Sequence, residues 1–402
     1  MNVLFLTLCD IRTLDTSGIY EDLLREFTHQ GHQVYVVSPS ERRTGGKTGM
    51  LSGNDHILKV KTGNTTQTNL IEKGISTILI ESQFKAAIKK HLSHVKFDLI
   101  LYSTPPITLA GAIQYVKKRD GAKTYLLLKD IFPQNAVDIG MMSKTGPKAA
   151  LYQFFRQKEK QLYALSDWIG CMSPANVRFV LENNPQVPAD RVEVCPNSIE
   201  PQDLSLDEQG RAEMRQKYGI PEDKKVFVYG GNLGKPQGIP FLIDCLKSQR
   251  QNEDAFFLIV GSGTEYDLLE HYVAESAQAN VKLMRQLPKE DYDRMIAACD
   301  VGMIFLDHRF TIPNFPSRLL SYMQARLPVL ACTDSNTDIG EIITAGGFGW
   351  WCRSDNVADF CKNINMAIEA PLTERGKRGA EYMEKNYHVR RGCEIILSHL
   401  DV

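Results

Sequence analysis

Lys224 to Leu246 reads KKVFVYGGNLGKPQGIPFLIDCL. Val226–Tyr229 is a short apolar, β-branched and aromatic run of the kind that forms a buried strand. Gly230-Gly231-Asn232-Leu233-Gly234 closes it, and a helical pattern opens near Gly238. Glycines at a strand-to-helix junction let an anion approach the backbone, and the helix start that follows favours negative charge. Lys235 adds a full positive charge; a tight turn with an exposed lysine is the plainer reading.

The same alternation extends in both directions. Towards the N-terminus the strand candidates are Val3–Leu6, Val34–Val37, Leu99–Tyr102, Tyr125–Leu128, Trp168–Cys171 and Val192–Val194. Towards the C-terminus they are Val226–Tyr229, Phe256–Val260, Val281–Met284, Val301–Phe305, Val329–Ala331 and Gly349–Trp351. Helical patterns separate many of them, most clearly Ile19 to His29, with Gly31 just past its end. Continuous apolar strands alternating with helices predict α/β architecture with parallel sheets covered on both faces. PNSIEPQDLSLDEQG, Pro196 to Gly210, has almost no apolar periodicity and reads as a linker between two doubly wound domains. Such sheets bind ligands beyond the carboxyl ends of their strands, so a cleft between the two domains is the expected site.

Composition narrows the function. The chain has 402 residues and a formal net charge of −1, without the basic excess of a dedicated nucleic-acid binder. Its nine cysteines are scattered and form no Cys-x-x-Cys pair, so reduced, buried thiols are expected rather than a zinc site. MNVLFLTLCD at the start reads as a first strand, not a signal peptide, and no apolar stretch approaches the ~18 residues needed to span a bilayer. The expected location is cytoplasmic, with the inner face of the membrane as an alternative. Glu41–Gly74 is glycine-rich, basic and polar and is expected to be a mobile loop; Gly46-Lys47-Thr48 within it matches only the end of a P-loop, which argues against ATP binding there.

Three further stretches carry candidate chemistry. In FFLIVGSGTEYDLLEHYV, Phe256 to Val273, Gly261-Ser262-Gly263 follows a strand and opens a helix; a plain turn and a ligand loop are both open readings. In VGMIFLDHRFTIPNFPSRLLSYMQARLPVLACTDSN, Val301 to Asn336, Pro316-Ser317 starts a helix that runs through Gln324. Arg318 then sits in the first turn, where a cation opposes the helix dipole. Either an anionic ligand or an acidic side chain should accompany it. In Tyr125–Gly140, Asp130 follows a strand and is placed to orient or deprotonate an acceptor hydroxyl. The alternative is an N-cap or a structural carboxylate paired with Lys129.

Together, YGGNLGKPQGI, KDIFPQNAVDIG, PSRLLSYMQARLPVLA and the turn at Cys195-Pro196-Asn197 resemble glycosyltransferase family 4, essentially end to end. The bacterial polysaccharide subgroup of WbuB-like aminosugar transferases is the nearest in flavour. The resemblance implies the GT-B fold: an N-terminal Rossmann-like acceptor domain (1–200), a C-terminal donor domain (201–378), and a final segment (379–402) with a helix from Glu381 to Leu400 crossing back to the first domain. It implies retaining transfer from a nucleotide-sugar, with uridine as the default base, to a glycan or lipid-linked acceptor. No cofactor, bound metal or nucleic-acid partner is implied. Asp130, Lys235 and Arg318 take the catalytic roles. Gly18, Gly231, Asn232, Gly234, Gly261, Arg285, Leu287, Pro316, Ser317 and Ser321 take donor-binding ones.

Several positions depart from the family pattern. Its paired glutamates, seven residues apart, are replaced here by Ser321 and by a position at or near Pro313. Asn232 and Gln237 stand about where its cations would be, leaving Lys235 and Arg318 to neutralise a diphosphate. A sugar-nucleotide epimerase and a non-catalytic subunit of a transferase complex are the rival readings. LYQFFRQKEKQLYAL, Leu151 to Leu165, is either a helix with one buried and one solvated face or part of a peripheral membrane contact through 144–165. The Trp350-Trp351 pair is either core or a sugar-stacking platform.

Overall fold

A computed structural model describes residues 1–64 and 70–400. The chain divides into two compact units, Met1–Glu200 with Val389–Val402, and Pro201–His388.

The first unit holds strands β1 (Asn2–Leu6), β2 (Gln33–Glu41), β3 (Gly49–Leu51), β4 (Asn54–Thr62), β5 (Leu99–Ser103), β6 (Lys123–Leu128), β7 (Trp168–Cys171) and β8 (Val192–Val194). Its helices are α1 (Ile19–His29), α2 (Leu70–His91), α3 (Ala110–Asp120), α4 (Gln134–Asp138), α5 (Ala149–Leu165) and α6 (Pro174–Asn183). The strand order is β3-β4-β2-β1-β5-β6-β7-β8, parallel throughout except for β3 against β4.

The second unit contains β9 (Lys225–Asn232), β10 (Ala255–Ser262), β11 (Val281–Arg285), β12 (Val301–Phe305), β13 (Val329–Thr333) and β14 (Gly349–Arg353). Its helices are α7 (Glu208–Tyr218), α8 (Ile239–Ser248), α9 (Tyr266–Ser276), α10 (Lys289–Ala297), α11 (Arg318–Gln324), α12 (Ile339–Ala345), α13 (Val357–Glu369) and α14 (Leu372–Asn386). These six strands form one parallel sheet, ordered β11-β10-β9-β12-β13-β14. Val226–Tyr229, Phe257–Ile259 and Val301–Phe305 are fully buried. Helices on both faces cover these strands, which is why they read as unbroken apolar runs.

Each sheet has a point where the strand order reverses, between β1 and β5 in the first unit and between β9 and β12 in the second. In doubly wound sheets the crevice beyond the strand ends at that point is where ligands bind.

Two expectations are corrected. The segment from Glu41 is not a loop up to Gly74. β2 runs through Glu41, a 3-10 turn spans Arg42–Thr44, and β3 and β4 form an antiparallel hairpin on the sheet edge. Gly46 is needed there because a Cβ would strike the Ser40 carbonyl. Residues 65–69 of that segment lie outside the described residues.

The helix expected from Glu381 to Leu400 is two helices. α14 ends at Asn386 in the second unit, and α15 (Val389–Leu397) starts in the first. α15 packs on α1, placing Val389, Cys393 and Ile396 in one core with Leu23, Leu24 and Phe27. Of the two readings of the tryptophan pair, the structure shows core packing. Trp350 is buried in the core with Arg375 over its ring, and Trp351 Nε1 donates to Thr333 Oγ1 at 2.9 Å.

Candidate functional site

At the reversal point of the second sheet, β9 ends in Gly230-Gly231-Asn232 and α11 begins with Arg318. Gly231 has φ +127°, in the left-handed region where a side chain is strained, and a Cβ there would lie 3.3 Å from Arg318 Nη2. The guanidinium therefore lies against the glycine turn. Its carbon sits 4.3 Å from the centre of the Tyr229 ring. Arg318 forms no ion pair among the described residues, and its Nη1 is buried without a hydrogen-bond partner. Burial opposes the charge, while the neighbouring phenols of Tyr229, Tyr322 and Tyr292 favour it; the net effect raises its pKa. Of the two sequence readings of Arg318, the arginine paired with an acidic side chain is absent from the structure.

The loop after β9 is shaped by two residues that occupy the places of cations in the family pattern. Asn232 Nδ2 donates to Gln237 Oε1 at 2.8 Å, and the Gly234 N–H donates to the same oxygen at 3.3 Å. The 3-10 turn Lys235–Gln237 follows, and Gly238, with φ +60°, starts α8. The Asp307 N–H donates to the Pro236 carbonyl at 3.0 Å, tying the loop after β12 to this turn. The Lys235 side chain is exposed and makes no ion pair or hydrogen bond among the described residues.

The other predicted donor residues fall around this turn. Gly261, in β10, presses on the Gly231 carbonyl, so a Cβ there would collide with it. Arg285 ends β11, two strands from β9, where it stacks on Tyr266 at 3.6 Å and pairs with Glu270 at 3.3 Å. Leu287 follows it, half-buried. Pro316 and Ser317 precede α11, and Ser321 is one turn beyond Arg318 on that helix.

The first unit carries Asp130 just past β6. Thr104 Oγ1 accepts from the Lys129 and Asp130 N–H groups at 3.0 and 3.1 Å and donates to the Asp130 carbonyl at 3.0 Å. The carboxylate accepts from Asn135 Nδ2 at 2.7 Å. It neither pairs with Lys129 nor caps α4, whose cap is Pro133. Burial raises the Asp130 pKa to about 6, against the hydrogen bonds from Asn135 and the Ile131 N–H. Burial also lowers Lys129 to about 8. Gly18 caps α1 in an extended conformation, and its N–H donates to the buried Asp22 at 3.2 Å. A Cβ at Gly18 would run into the Glu21 carboxylate, whose pKa burial raises.

Thus the structure gathers Arg318, Gly231, Gly261 and the Asn232–Lys235 loop at one crevice. Arg285 and Leu287 lie further along the same edge, and Gly18 and Asp130 belong to the other unit. Sequence reading missed Tyr229, Tyr292 and Tyr322 as site residues, and the loop-shaping role of Gln237. Nothing in the local pattern marks the tyrosines: Tyr229 follows VFV, and Tyr292 stands among charges in KEDYDRMIA. No cluster of three or more His, Cys, Asp or Glu side chains suited to a metal occurs among the described residues.

Two parallel-dominated α/β sheets, with a glycine turn and an unpaired arginine N–H at the reversal point of one, fit the GT-B fold. Comparisons agree: residues 19–203 match the model described as Glycosyltransferase Family 4, and residues 210–386 match Glycosyl transferases group 1. The chain belongs to glycosyltransferase family 4 and is a glycosyltransferase. A "Probable glycosyltransferase WbjE" of Pseudomonas aeruginosa is 24% identical over 325 residues, 80% of this chain and 78% of its own. WcaI of Escherichia coli K12, named for colanic acid biosynthesis, is 23% identical over 300 residues, 72% of this chain and 70% of its own. Among solved structures, HepE of Anabaena in complex with UDP has the same fold, with a TM-score of 0.69 at 15% identity over 100% of this chain and 99% of HepE.

Proposed function

We propose that this chain moves a sugar from a UDP-sugar, with retention at the anomeric carbon, to a hydroxyl of a glycan or lipid-linked acceptor in surface polysaccharide assembly. The observation that carries the reading is Arg318 Nη1, a buried cationic N–H with no partner beside the positive-φ glycine turn. An orphaned buried donor is costly, and an anionic oxygen satisfies it. The name of WbjE supports the transfer, that of WcaI the pathway, and the UDP in HepE the base.

As the C1–O bond to the diphosphate breaks, negative charge grows on the leaving oxygens. Arg318, whose Nη1 has no partner, and Lys235, beside the glycine turn, stabilise it without a resident cofactor. The acceptor oxygen bonds to C1 on the face the diphosphate leaves. Its proton passes to Asp130 and then to water, so the products are glycoside, UDP and one proton. With a pKa near 6, Asp130 is ionised at neutral pH yet basic enough to take that proton.

A lipid-linked acceptor is met at a membrane surface. On α5, Leu151 and Phe154 are 50% and 39% exposed, and Met141 is 50% exposed. Leu151 and Phe154 give the 144–165 region apolar contacts for that surface, with Met141 just before it. No helix among the described residues is long and apolar enough to cross a membrane.

The experiment is UDP release from UDP-sugars, with and without candidate acceptors, followed by NMR of the product anomer. Acceptor-dependent release with retained configuration supports the reading. Inversion, or release that ignores the acceptor, overturns it.

A further inference from the structure

Three tyrosines converge on Arg318. Tyr229, fully buried on β9, presents its ring face to the guanidinium. Its own hydroxyl donates to the Asn232 carbonyl at 2.7 Å, which fixes the ring to the glycine loop. Tyr322, one turn after Arg318 on α11, is also fully buried. Its hydroxyl accepts from the Gly230 N–H at 3.2 Å and donates to the Met303 carbonyl at 3.0 Å. Tyr292 of α10 puts its hydroxyl where a side chain on Gly230 would stand, and it hydrogen-bonds Tyr322.

This arrangement resolves a physical difficulty. A half-buried guanidinium ordinarily needs a carboxylate to offset its desolvation, yet Arg318 has none. A carboxylate would also compete with an incoming diphosphate for the same N–H groups. An aromatic face stabilises the cation without consuming any of its donors. Arginine also has many rotamers, and the planar Tyr229 surface limits them while leaving Nη1 free.

We infer that Tyr229, backed by Tyr292 and Tyr322, is a positioning residue that holds Arg318 charged, aligned and unpaired for the donor's diphosphate. The inference rests on the donor-site reading above and adds to it how the cation is presented.

The test compares Tyr229→Phe, which keeps the ring, with Tyr229→Leu, which does not, each also combined with Arg318→Ala. UDP affinity is measured by calorimetry on the full chain. Cation–π contacts of partly desolvated groups predict a roughly 3- to 30-fold weakening for Tyr229→Leu and less than about threefold for Tyr229→Phe. In the Arg318→Ala background, Tyr229→Leu should weaken UDP binding no further, because its effect passes through the arginine. Equal losses for Phe and Leu, or a Leu effect that persists without Arg318, overturn the inference. If Arg318→Ala leaves UDP affinity unchanged, the donor reading fails instead.

A second readout needs no nucleotide. Modification of Arg318 by phenylglyoxal, followed by peptide mass spectrometry, should accelerate in Tyr229→Leu and stay at the parental rate in Tyr229→Phe. Tyr292→Phe, a milder change, should also accelerate it. Unchanged rates in both Tyr229→Leu and Tyr292→Phe overturn the positioning role.

Discussion

Replacing Arg318 by alanine is the sharpest perturbation of the donor crevice. In the structure its guanidinium lies against Gly231, stacks on Tyr229 and keeps one buried N–H unpaired. A hydrogen bond from a charged donor to phosphate contributes about 1.5–3 kcal/mol. At about 1.4 kcal/mol per tenfold, Arg318→Ala should weaken UDP binding roughly 10- to 150-fold. The fold should barely respond. Loss of the stacking contact costs about 0.5–1 kcal/mol, and removal of a desolvated charge without a carboxylate partner offsets it. The melting temperature without nucleotide should therefore stay within about 3 °C of the parent. Calorimetry with UDP and a thermal melt without it read the two quantities separately. Unchanged affinity would remove Arg318 from the donor site. A large fall in melting temperature would show that the arginine is there for stability.

Further outcomes follow from other residues. Asp130→Asn should lower transfer about 100-fold or more while leaving UDP affinity unchanged, and an equal loss in both would make Asp130 structural. In the parent, kcat/KM should rise with pH through about 6, where Asp130 ionises, and then level off; a profile flat from pH 5 to 8 contradicts the base role. The folded pKa is raised from 3.8 to about 6, so the folded state holds the proton more tightly, and this group's contribution to stability is lost as pH rises between those values. Asp130→Asn should consequently melt higher than the parent above pH 6. Gly261→Ala should destabilise the second unit by about 1–3 kcal/mol, because the Gly231 carbonyl cannot move aside; a neutral melt contradicts the β9–β10 register. The double change Leu151→Asp with Phe154→Asp should reduce cosedimentation with anionic vesicles severalfold without affecting UDP binding, and unchanged cosedimentation would remove α5 from the membrane contact.

All twelve strands read from the sequence are present; the central ones are covered on both faces, which demands uninterrupted apolar runs such as VFVY and FFLIV. The β3–β4 hairpin escaped because its apolar residues are interspersed among glycines and charges on a sheet edge, where only one face needs covering. The break at Tyr387-His388 escaped for a different reason. Helical periodicity continues through it, and the chain turns only because α14 and α15 belong to different units. At the site, glycine turns and Arg318 were legible as local patterns. The tyrosines around Arg318 were not, since Tyr229, Tyr292 and Tyr322 are far apart in sequence and meet only because β9 lies beside β12. Asn232 and Gln237 looked like lost cations, whereas their mutual hydrogen bond shapes the loop.

The most direct test of the central claim is the thermal shift of the full chain against UDP, GDP, ADP and their sugar conjugates. A ligand that binds only the folded state raises its melting temperature, by an amount that grows with concentration over Kd. The account predicts a selective rise with UDP and UDP-sugars that is largely lost in Arg318→Ala. A well-folded chain that responds to none of these nucleotides, or equally in the parent and Arg318→Ala, would contradict it.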